Sequence, residues 1–319
     1  MGFPTSVPLY PAPGIPGTQA SANPISTVDA GTGALTTGAN GLTVANFGWI
    51  TGTTNLGGGV ANNAITGAPI APDGFVMNHH TALITTWLGQ ASMVIPQGLP
   101  CTLADRGDFW AIANSAPAVR GNKVFANLFN GSVLAAAAGA VPVTSIGTNA
   151  AFTASVATNV MTVTAVASGT LAVGQLIQGV GIPANTYIQS LGTGTGGTGT
   201  YNLNTTPGTV TSGALTATSP AGVGGASYTA SIATNVLTVT AVAYGILQVG
   251  MFVVGVGVAA GTYISSLGTG TGGAGTYNLS TAPGAQVSAT YTASAWIETP
   301  FYVKSDANPG ELIKIGVRN

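Results

Sequence analysis

Charged side chains are the scarcest class in this sequence. They make up 4% of its 319 residues, against about 25% in ordinary soluble domains. All of them lie in residues 29–123 or 298–318, so that residues 124–297 carry no formal charge. Six basic residues and a net charge of −1 leave little to neutralise a phosphate backbone, which argues against direct nucleic-acid binding.

Cysteine and long apolar runs are scarce as well. Cys101 is the only cysteine, which excludes a disulfide within one chain and a cysteine-based zinc site, and we interpret it as a small buried hydrophobe. No window approaches about 18 unbroken apolar residues, so we expect no membrane-spanning helix. The opening MGFPTSVPLYPAPG lacks a basic stretch followed by an apolar run, so we expect no signal peptide.

The residues that are abundant indicate β-structure. Hydrophobic residues make up 45% of the chain, and Ser, Thr, Asn and Gly supply the polarity that charge does not. Disordered chains show the reverse balance, with much charge and few β-branched or aromatic residues. Because helix-start and helix-stop patterns are also weak, the sequence predicts an all-β protein.

A duplication dominates the uncharged stretch. FTASVATNVMTVTAV, from Phe152, recurs as YTASIATNVLTVTAV from Tyr228, and the same offset maps Asn159 to Asn235 and Pro207 to Pro283. A fixed internal period marks each copy as one folding unit. We predict two tandem β-domains, at 149–220 and 225–295, each a small barrel or sandwich of four or five strands with the asparagine near a hairpin turn.

Residues 1–24 contain six prolines interleaved with apolar residues. Proline at this density blocks helix and favours extended backbone, and the apolar side chains need a surface to lie on. We therefore predict an extended arm that lies over a neighbouring protein; a frayed terminus is the alternative. The predicted anchors, for contact with a capsid or another subunit, are Phe3, Val7, Leu9, Tyr10 and Ile15.

Short strand patterns separated by turn residues fill 25–148 and return in 296–319. Asn40-Gly41 and Asn130-Gly131 each predict a tight hairpin turn. Near the end, ELIKIGV alternates as a half-buried edge strand would. Because 296–319 resembles 25–148 in charge and patterning, we predict one discontinuous body, a β-barrel or β-sandwich of jelly-roll-like form, into which the repeats are inserted.

Motifs that could indicate chemistry are weak. Each repeat contains G-x-G-x-x-G, at Gly192 and at Gly268, but a strand follows and no acidic residue is near, so we expect no dinucleotide cofactor. His79 and His80 would point to opposite faces of a strand and are poorly placed to share one metal ion. We predict no metal site and no catalytic residue.

The densest charge cluster is Asp105, Arg106 and Asp108, in ADRGDFW. An acid–base pair would need a pocket and perturbed pKa values, whereas a loop Asp–Arg pair or an intersubunit contact needs only a surface. We therefore take these three residues as a possible polar interface.

Two blocks of the sequence resemble a known family. MGFPTSVPLYPAPGIPGTQASANP, DGFVMNHHTALITTWLGQASMVIPQGLPCTLADRGDFWA, GNKVFANLFNGSV and the closing IETPFYVKSDANPGELIKI resemble the structural cement, or capsid decoration, proteins of tailed bacteriophages. The match covers two blocks on either side of the repeats, in motifs of moderate specificity. TVTAVxxGxLxVGxxxxGxGV with GTGTGGxGTY resembles a repeat module common in phage virion proteins and less informative about role.

The resemblance implies a non-enzymatic virion protein. Such proteins are made in the host cytoplasm, bind the outer surface of the major capsid protein shell, often as homotrimers, and stabilise it. A head fibre or adhesin that binds a host surface or glycans through the repeats is the alternative, although the repeats contain no Trp. A secreted enzyme with β-rich modules is the weakest candidate, because carboxylates are so few.

Overall fold

The computed structural model describes residues 14–65, 67–78, 93–112, 118–142, 150–171, 175–183, 186, 188–203, 205–218, 224–307 and 311–317. Within these residues every regular element is a strand. The sheets curve into half-barrels and nearly closed barrels. The prediction of an all-β fold is therefore confirmed.

Twenty-five strands lie in the described part of the chain. Eleven precede the first repeat: β1 (Ser26–Thr27), β2 (Thr36–Thr37), β3 (Leu42–Thr43), β4 (Phe47–Thr53), β5 (Gly59–Asn62), β6 (Gly74–Val76), β7 (Val94–Ile95), β8 (Leu103–Arg106), β9 (Asp108–Ile112), β10 (Lys123–Asn127) and β11 (Val133–Ala136). The first repeat contains β12 (Ala150–Ala157), β13 (Val160–Ser168), β14 (Leu176–Gln178), β15 (Ile188–Leu191), β16 (Gly199–Leu203) and β17 (Val210–Thr218). The rest are β18 (Gly225–Ala233), β19 (Val236–Tyr244), β20 (Phe252–Val254), β21 (Ile264–Leu267), β22 (Gly275–Leu279), β23 (Gln286–Ser294), β24 (Trp296–Val303) and β25 (Leu312–Val317).

Two sheets enclose the largest core. One has six strands in the order β1-β8-β6-β4-β5-β2, and the other has five in the order β11-β10-β24-β25-β9. Phe47 and Phe75 from the first sheet meet Phe109 and Phe301 from the second, with ring centroids 5.4–6.4 Å apart. Edge-to-face and tilted rings of this kind add to the apolar area that they bury, so this cluster holds the two sheets together.

The last two strands lie inside the five-stranded sheet. β24 pairs with β10 on one side and with β25 on the other, and β25 pairs with β9. The prediction that ELIKIGV forms a half-buried strand is correct, but its placement at an edge is wrong. Ile313 and Ile315 face the core, and Lys314 on the opposite face finds a carboxylate partner, so the alternation reflects two different environments inside a sheet.

The two Asn-Gly turns differ. Asn130-Gly131 connects β10 and β11, which pair as predicted. At Asn40-Gly41 the chain turns, with Gly41 at φ 72°, but β2 then pairs with β5 and β3 pairs with β7. The predicted hairpin is wrong there because the chain changes sheets at the turn.

The repeats form two sheets of the same topology. Their orders are β14-β17-β12-β13-β16-β15 and β20-β23-β18-β19-β22-β21. Each has six strands rather than the four or five predicted, because the long strand that follows the Pro-containing loop closes the sheet beside the first hairpin. The hairpin turn falls where predicted, with Thr158 and Thr234 in the left-handed region beside the asparagines.

A tyrosine organises the Gly-rich loop in each repeat. The Tyr201 hydroxyl donates to the Gly197 carbonyl oxygen (2.7 Å) and accepts from the Gly196 amide (3.0 Å). Tyr277 makes the equivalent bonds, at 2.7 and 2.9 Å. Both tyrosines are fully buried, so the loop is packed against the repeat core and its glycines serve packing.

The second repeat packs against the body, and the first has a core of its own. Phe252 contacts the body core, while Phe129 of the body contacts the second-repeat core. Ile246 and Val254 of the second repeat also line clefts shared with body residues. The corresponding first-repeat residues are Leu176, Thr170 and Gln178. Two of these differences replace a polar side chain with an apolar one, and the third replaces Leu176 with the larger Phe252 in the docked copy.

The first repeat leaves and rejoins the rest of the chain at one place. The Pro142 carbonyl accepts a bond from the Ser294 hydroxyl (2.5 Å). The Gly224 carbonyl accepts one from the Ala295 amide (2.8 Å). Because these partners are consecutive residues, the ends of segment 143–223 lie close together, the condition under which an insertion is tolerated.

We predict that segment 143–223 can be replaced by a short Gly-Ser linker without loss of the fold. The remaining chain keeps both body sheets and the docked repeat, so calorimetry should show one cooperative transition close to its original temperature. The matched control removes residues 225–294 instead, which uncovers Phe129 and should lower the melting temperature markedly. Loss of cooperative unfolding in the first variant would contradict the prediction.

Candidate functional site

Residues 17–20, which belong to the predicted arm of residues 1–24, are bound to the free edge of β9 in the same chain, so this part of the arm does not lie over a neighbouring protein as predicted. The Gly17 amide donates to the Trp110 carbonyl (2.7 Å), and the Trp110 amide donates to the Thr18 carbonyl (3.0 Å). The Ala20 amide donates to the Asp108 carbonyl (2.7 Å). Residues 17–20 thus extend the five-stranded sheet beyond its edge strand, which also protects that edge from other chains.

Two glycines allow this segment to lie so close. A Cβ atom on Gly14 would fall 2.3 Å from the Trp110 indole ring. Gly17 has φ +84°, and a Cβ there would lie 2.5 Å from Val44. Only glycine accommodates both the left-handed backbone and this approach. The arm therefore starts from a defined point above Trp110.

A buried carboxylate joins the segment to the end of the chain. The Asp108 side chain is 3% exposed and accepts hydrogen bonds from Ser21 Oγ, Asn23 Nδ2 and Lys304 Nζ, each at 2.7 Å. Lys314 Nζ lies 3.5 Å away. Gly316 lies opposite Asp108 in the β-ladder. A Cβ atom on Gly316 would clash with Asp108 Oδ1 and with the Lys304 side chain, so a glycine at this position leaves space for Lys304 to reach Asp108.

This environment lowers the pKa of Asp108. Burial alone would raise it, but hydrogen bonds from Lys304, Ser21 and Asn23 and the charge of Lys304 outweigh that effect. A carboxyl whose folded pKa lies below its unfolded value adds stability above the unfolded pKa of about 3.9. That stability is lost as the pH falls through the folded pKa.

The three residues predicted as a polar interface share one cleft. Asp105, Arg106 and Asp108 line a depression of about 720 Å³ together with residues 23–26. Arg106 is exposed and Asp105 is half-buried, with Oδ1 lacking a hydrogen-bond partner in the described chain. Asp108 forms its ion pairs with Lys304 and Lys314. Sequence reasoning did not predict these two lysines, or Ser21 and Asn23, as partners of Asp108. Ser21 and Asn23 lie in the ASANP motif and Lys314 lies in the alternating ELIKIGV stretch, whereas Lys304 lies in neither.

Four of the five predicted arm anchors lie outside the described residues: Phe3, Val7, Leu9 and Tyr10. Ile15 lies just beyond Gly14 and is 52% exposed. It therefore offers an apolar side chain to solvent at the root of the arm.

The remaining candidates for chemistry are weak. Cys101 is half-buried, and burial raises the pKa of its thiol to about 11, so it stays protonated at neutral pH. His79 and His80 lie outside the described residues. The described chain contains no cluster of three or more potential metal ligands. Nor does any helix in that part have the length and apolarity to span a bilayer.

The sequence matches the XM1 gp53 minor capsid protein family over residues 3–174. The match spans more than half of the chain, including the predicted arm, the strand at which it is anchored and the first hairpin of the first repeat. The chain belongs to this family. A phage virion structural role follows, and the all-β architecture accords with it. No curated protein matches the sequence.

We predict that Asp108→Asn destabilises this family member by about 2 to 4 kcal/mol at pH 7, because it leaves the half-buried Lys304 without its counter-charge. Urea denaturation measures the change. The difference from the wild type should begin to shrink below the unfolded pKa of about 3.9 and should be lost only as the pH falls through the lower folded pKa of Asp108, where the native carboxyl becomes protonated.

Asp105→Asn is the matched control for this measurement. It removes a neighbouring charge that forms no ion pair among the described residues, and we expect a change below about 1 kcal/mol. Equal effects of the two substitutions, or an Asp108→Asn effect that persists unchanged in strong acid, would contradict the assigned role of Asp108.

Proposed function

We propose that this protein binds the outer surface of a phage capsid and stabilises it, as a cement or decoration protein does. The single observation that carries the proposal is the fixed root of the arm at β9. Residues 14–24 are bound to the body by backbone bonds and by Asp108, so the apolar, proline-rich sequence before Gly14 is attached at a defined point. Such a segment suits a long contact with a neighbouring protein.

The proposed partners are the major capsid protein and further copies of this chain, in a homotrimer. Each arm contact is modest by itself, because ordering an extended segment on binding costs entropy. Linking three arms makes the second and third contacts effectively intramolecular, which raises the overall affinity. Oligomerisation therefore gives weak individual contacts enough strength to hold a shell together.

We propose one discontinuous body at 25–148 with 296–319, and two inserted β-domains at 149–220 and 225–295. Pairing of β24 with β10 and of β25 with β9 supports this division. In this arrangement the body would lie on the capsid and the repeats would project outward. Since residues 124–297 carry no formal charge, contacts made there should be insensitive to salt.

A head fibre or adhesin that contacts a host surface through the repeats is the second candidate. One observation favours it: Val180 and Val256 occupy corresponding positions and are 92% and 73% exposed. Two copies of one exposed apolar residue could act together on a repetitive surface. Binding of the purified protein to host cells, without binding to undecorated capsids, would favour this candidate.

Deletion of residues 2–13 should abolish saturable binding to undecorated capsids while leaving the body folded, because residues 17–23, which are hydrogen-bonded to the body, are kept. Co-sedimentation with capsids measures occupancy, and thermal denaturation checks the fold. The matched control is Val180→Ser, which alters an exposed apolar residue in the first repeat and should leave occupancy unchanged. Full occupancy by the arm deletion would refute the proposed role of the arm.

A further inference from the structure

An apolar groove lies where the second repeat meets the outer face of the five-stranded sheet. Phe125, Leu134 and Trp296 form a small cluster separate from the main core. Phe125 and Trp296 also line the groove, together with Phe252–Val254 and residues 258–261 of the second repeat. Its volume is about 330 Å³.

The groove has two features of an unfilled binding site: exposed apolar side chains and a buried hydrogen-bond donor without an acceptor. Val141 and Val254, which line the groove, are 44% and 38% exposed. The Trp296 side chain is 3% exposed, and its indole N–H has no hydrogen-bond partner in the described chain. A buried donor without an acceptor destabilises the structure, because it has lost its hydrogen bond to water. An occupant that brings apolar surface and a carbonyl would offset both costs.

A groove lined by aromatic side chains, with an indole N–H as donor, is suited to binding a proline-rich segment. Such segments adopt an extended helix without internal hydrogen bonds, so their carbonyls are free to accept, and P-x-x-P segments bind aromatic-lined grooves. This chain contains three such segments, of which Pro8–Leu9–Tyr10–Pro11 is the first. The other two are already bound within the chain. At Pro13 to Pro16, Asn78 donates to the Pro16 carbonyl, and at Pro69 to Pro72 the Ile70 carbonyl accepts from the Trp49 indole.

The segment of the same chain is too short to reach the groove. Trp110 pairs with Lys314, and the Lys304 amide bonds to the Lys314 carbonyl, so these three residues form one row across the sheet. Trp296 lies eight residues before Lys304, but two of these residues form a bulge in β24 opposite Lys123–Phe125. The distance along the sheet is therefore about 20 Å for a rise of about 3.3 Å per residue. In extended proline-rich backbone Pro8 lies at most about 19 Å from Gly14 and Pro11 at most about 9 Å, so Pro8–Pro11 as a whole falls short of the groove. The occupant must therefore come from another molecule.

We propose that Pro8–Pro11 of a second copy of this chain binds the groove, with the Trp296 indole turning to donate to an arm carbonyl. The groove residues and the arm belong to the same polypeptide, so each copy carries both a donor segment and an acceptor groove. Head-to-tail contacts of this kind close into a ring when the rotation between copies allows it. The inference concerns contacts between copies and does not depend on attachment to a capsid.

Disulfide trapping of full-length chains tests the proposal. In a Cys101→Ala background, one protein carries Leu9→Cys and the other carries Val141→Cys at the groove rim. Mixing them under mild oxidation should give a covalent heterodimer on non-reducing gels. Val180→Cys, in the first repeat, replaces Val141→Cys in the control and should give at least tenfold less product.

The double variant Leu9→Cys/Val141→Cys distinguishes the source of the arm. Dimers and larger species support a second copy, whereas a disulfide confined to single chains at high dilution overturns the proposal. Failure to trap the heterodimer above the control level would overturn it as well. If deletion of the arm abolishes capsid binding but no disulfide-linked product forms, the proposed function is supported and this inference is refuted.

Trp296→Phe tests the indole donor. It keeps an aromatic ring in the groove but removes the N–H, so self-association measured by sedimentation should weaken about five- to tenfold, the effect of one buried hydrogen bond. Trp49→Phe is the control, because the Trp49 indole bonds to the Ile70 carbonyl in the main core and should affect stability alone. Unchanged self-association of Trp296→Phe would overturn the role given to the indole.

Discussion

The ion pairs around Asp108 and Glu298 hold together two parts of the chain that are far apart in sequence. All three pairs in the described residues join the N-terminal half to the closing strands: Asp108 to Lys304 and Lys314, and Lys123 to Glu298. The Arg120 amide also donates to the Asp306 carboxylate. Closing so long a loop costs entropy, and specific charged contacts at the closure favour one register over others. Because a buried ion pair can cost as much as it returns, we assign these pairs mainly to specificity.

This arrangement gives a physical reason for the uneven charge. Charges are concentrated in the two segments that the ion pairs join, and the repeats, each built on a hairpin of its first two strands, carry none. Most hairpin contacts are close in sequence, so apolar alternation and turn residues suffice to specify them. The division of charge along the chain therefore follows the division between long-range and local pairing.

Sequence reasoning predicted the features that depend on local pattern. The strand character, the hairpins at Asn130 and Asn159 and the likeness of the two repeats all follow from alternation and turn chemistry. It failed where the structure depends on residues that are close in space but distant in sequence. The placement of β25 inside a sheet, the change of sheet after Asn40 and the lysine partners of Asp108 depend on contacts between segments distant in sequence, which no local pattern encodes. Separation of the body from the repeats stays a prediction, although the pairing of β24 and β25 supports it.

The two repeats show how one fold acquires different roles through few changes. Their topology, their Thr–Asn turns and their buried tyrosines are the same, so these features specify the fold. Thr170, Leu176 and Gln178 in the first copy correspond to Ile246, Phe252 and Val254 in the second, and the second set faces the body. Each such replacement adds apolar area, worth about 25 cal/mol per Å² buried. Docking of the second repeat also completes the groove over Trp296, so the substitutions that fix its position create the surface proposed to receive a neighbour's arm.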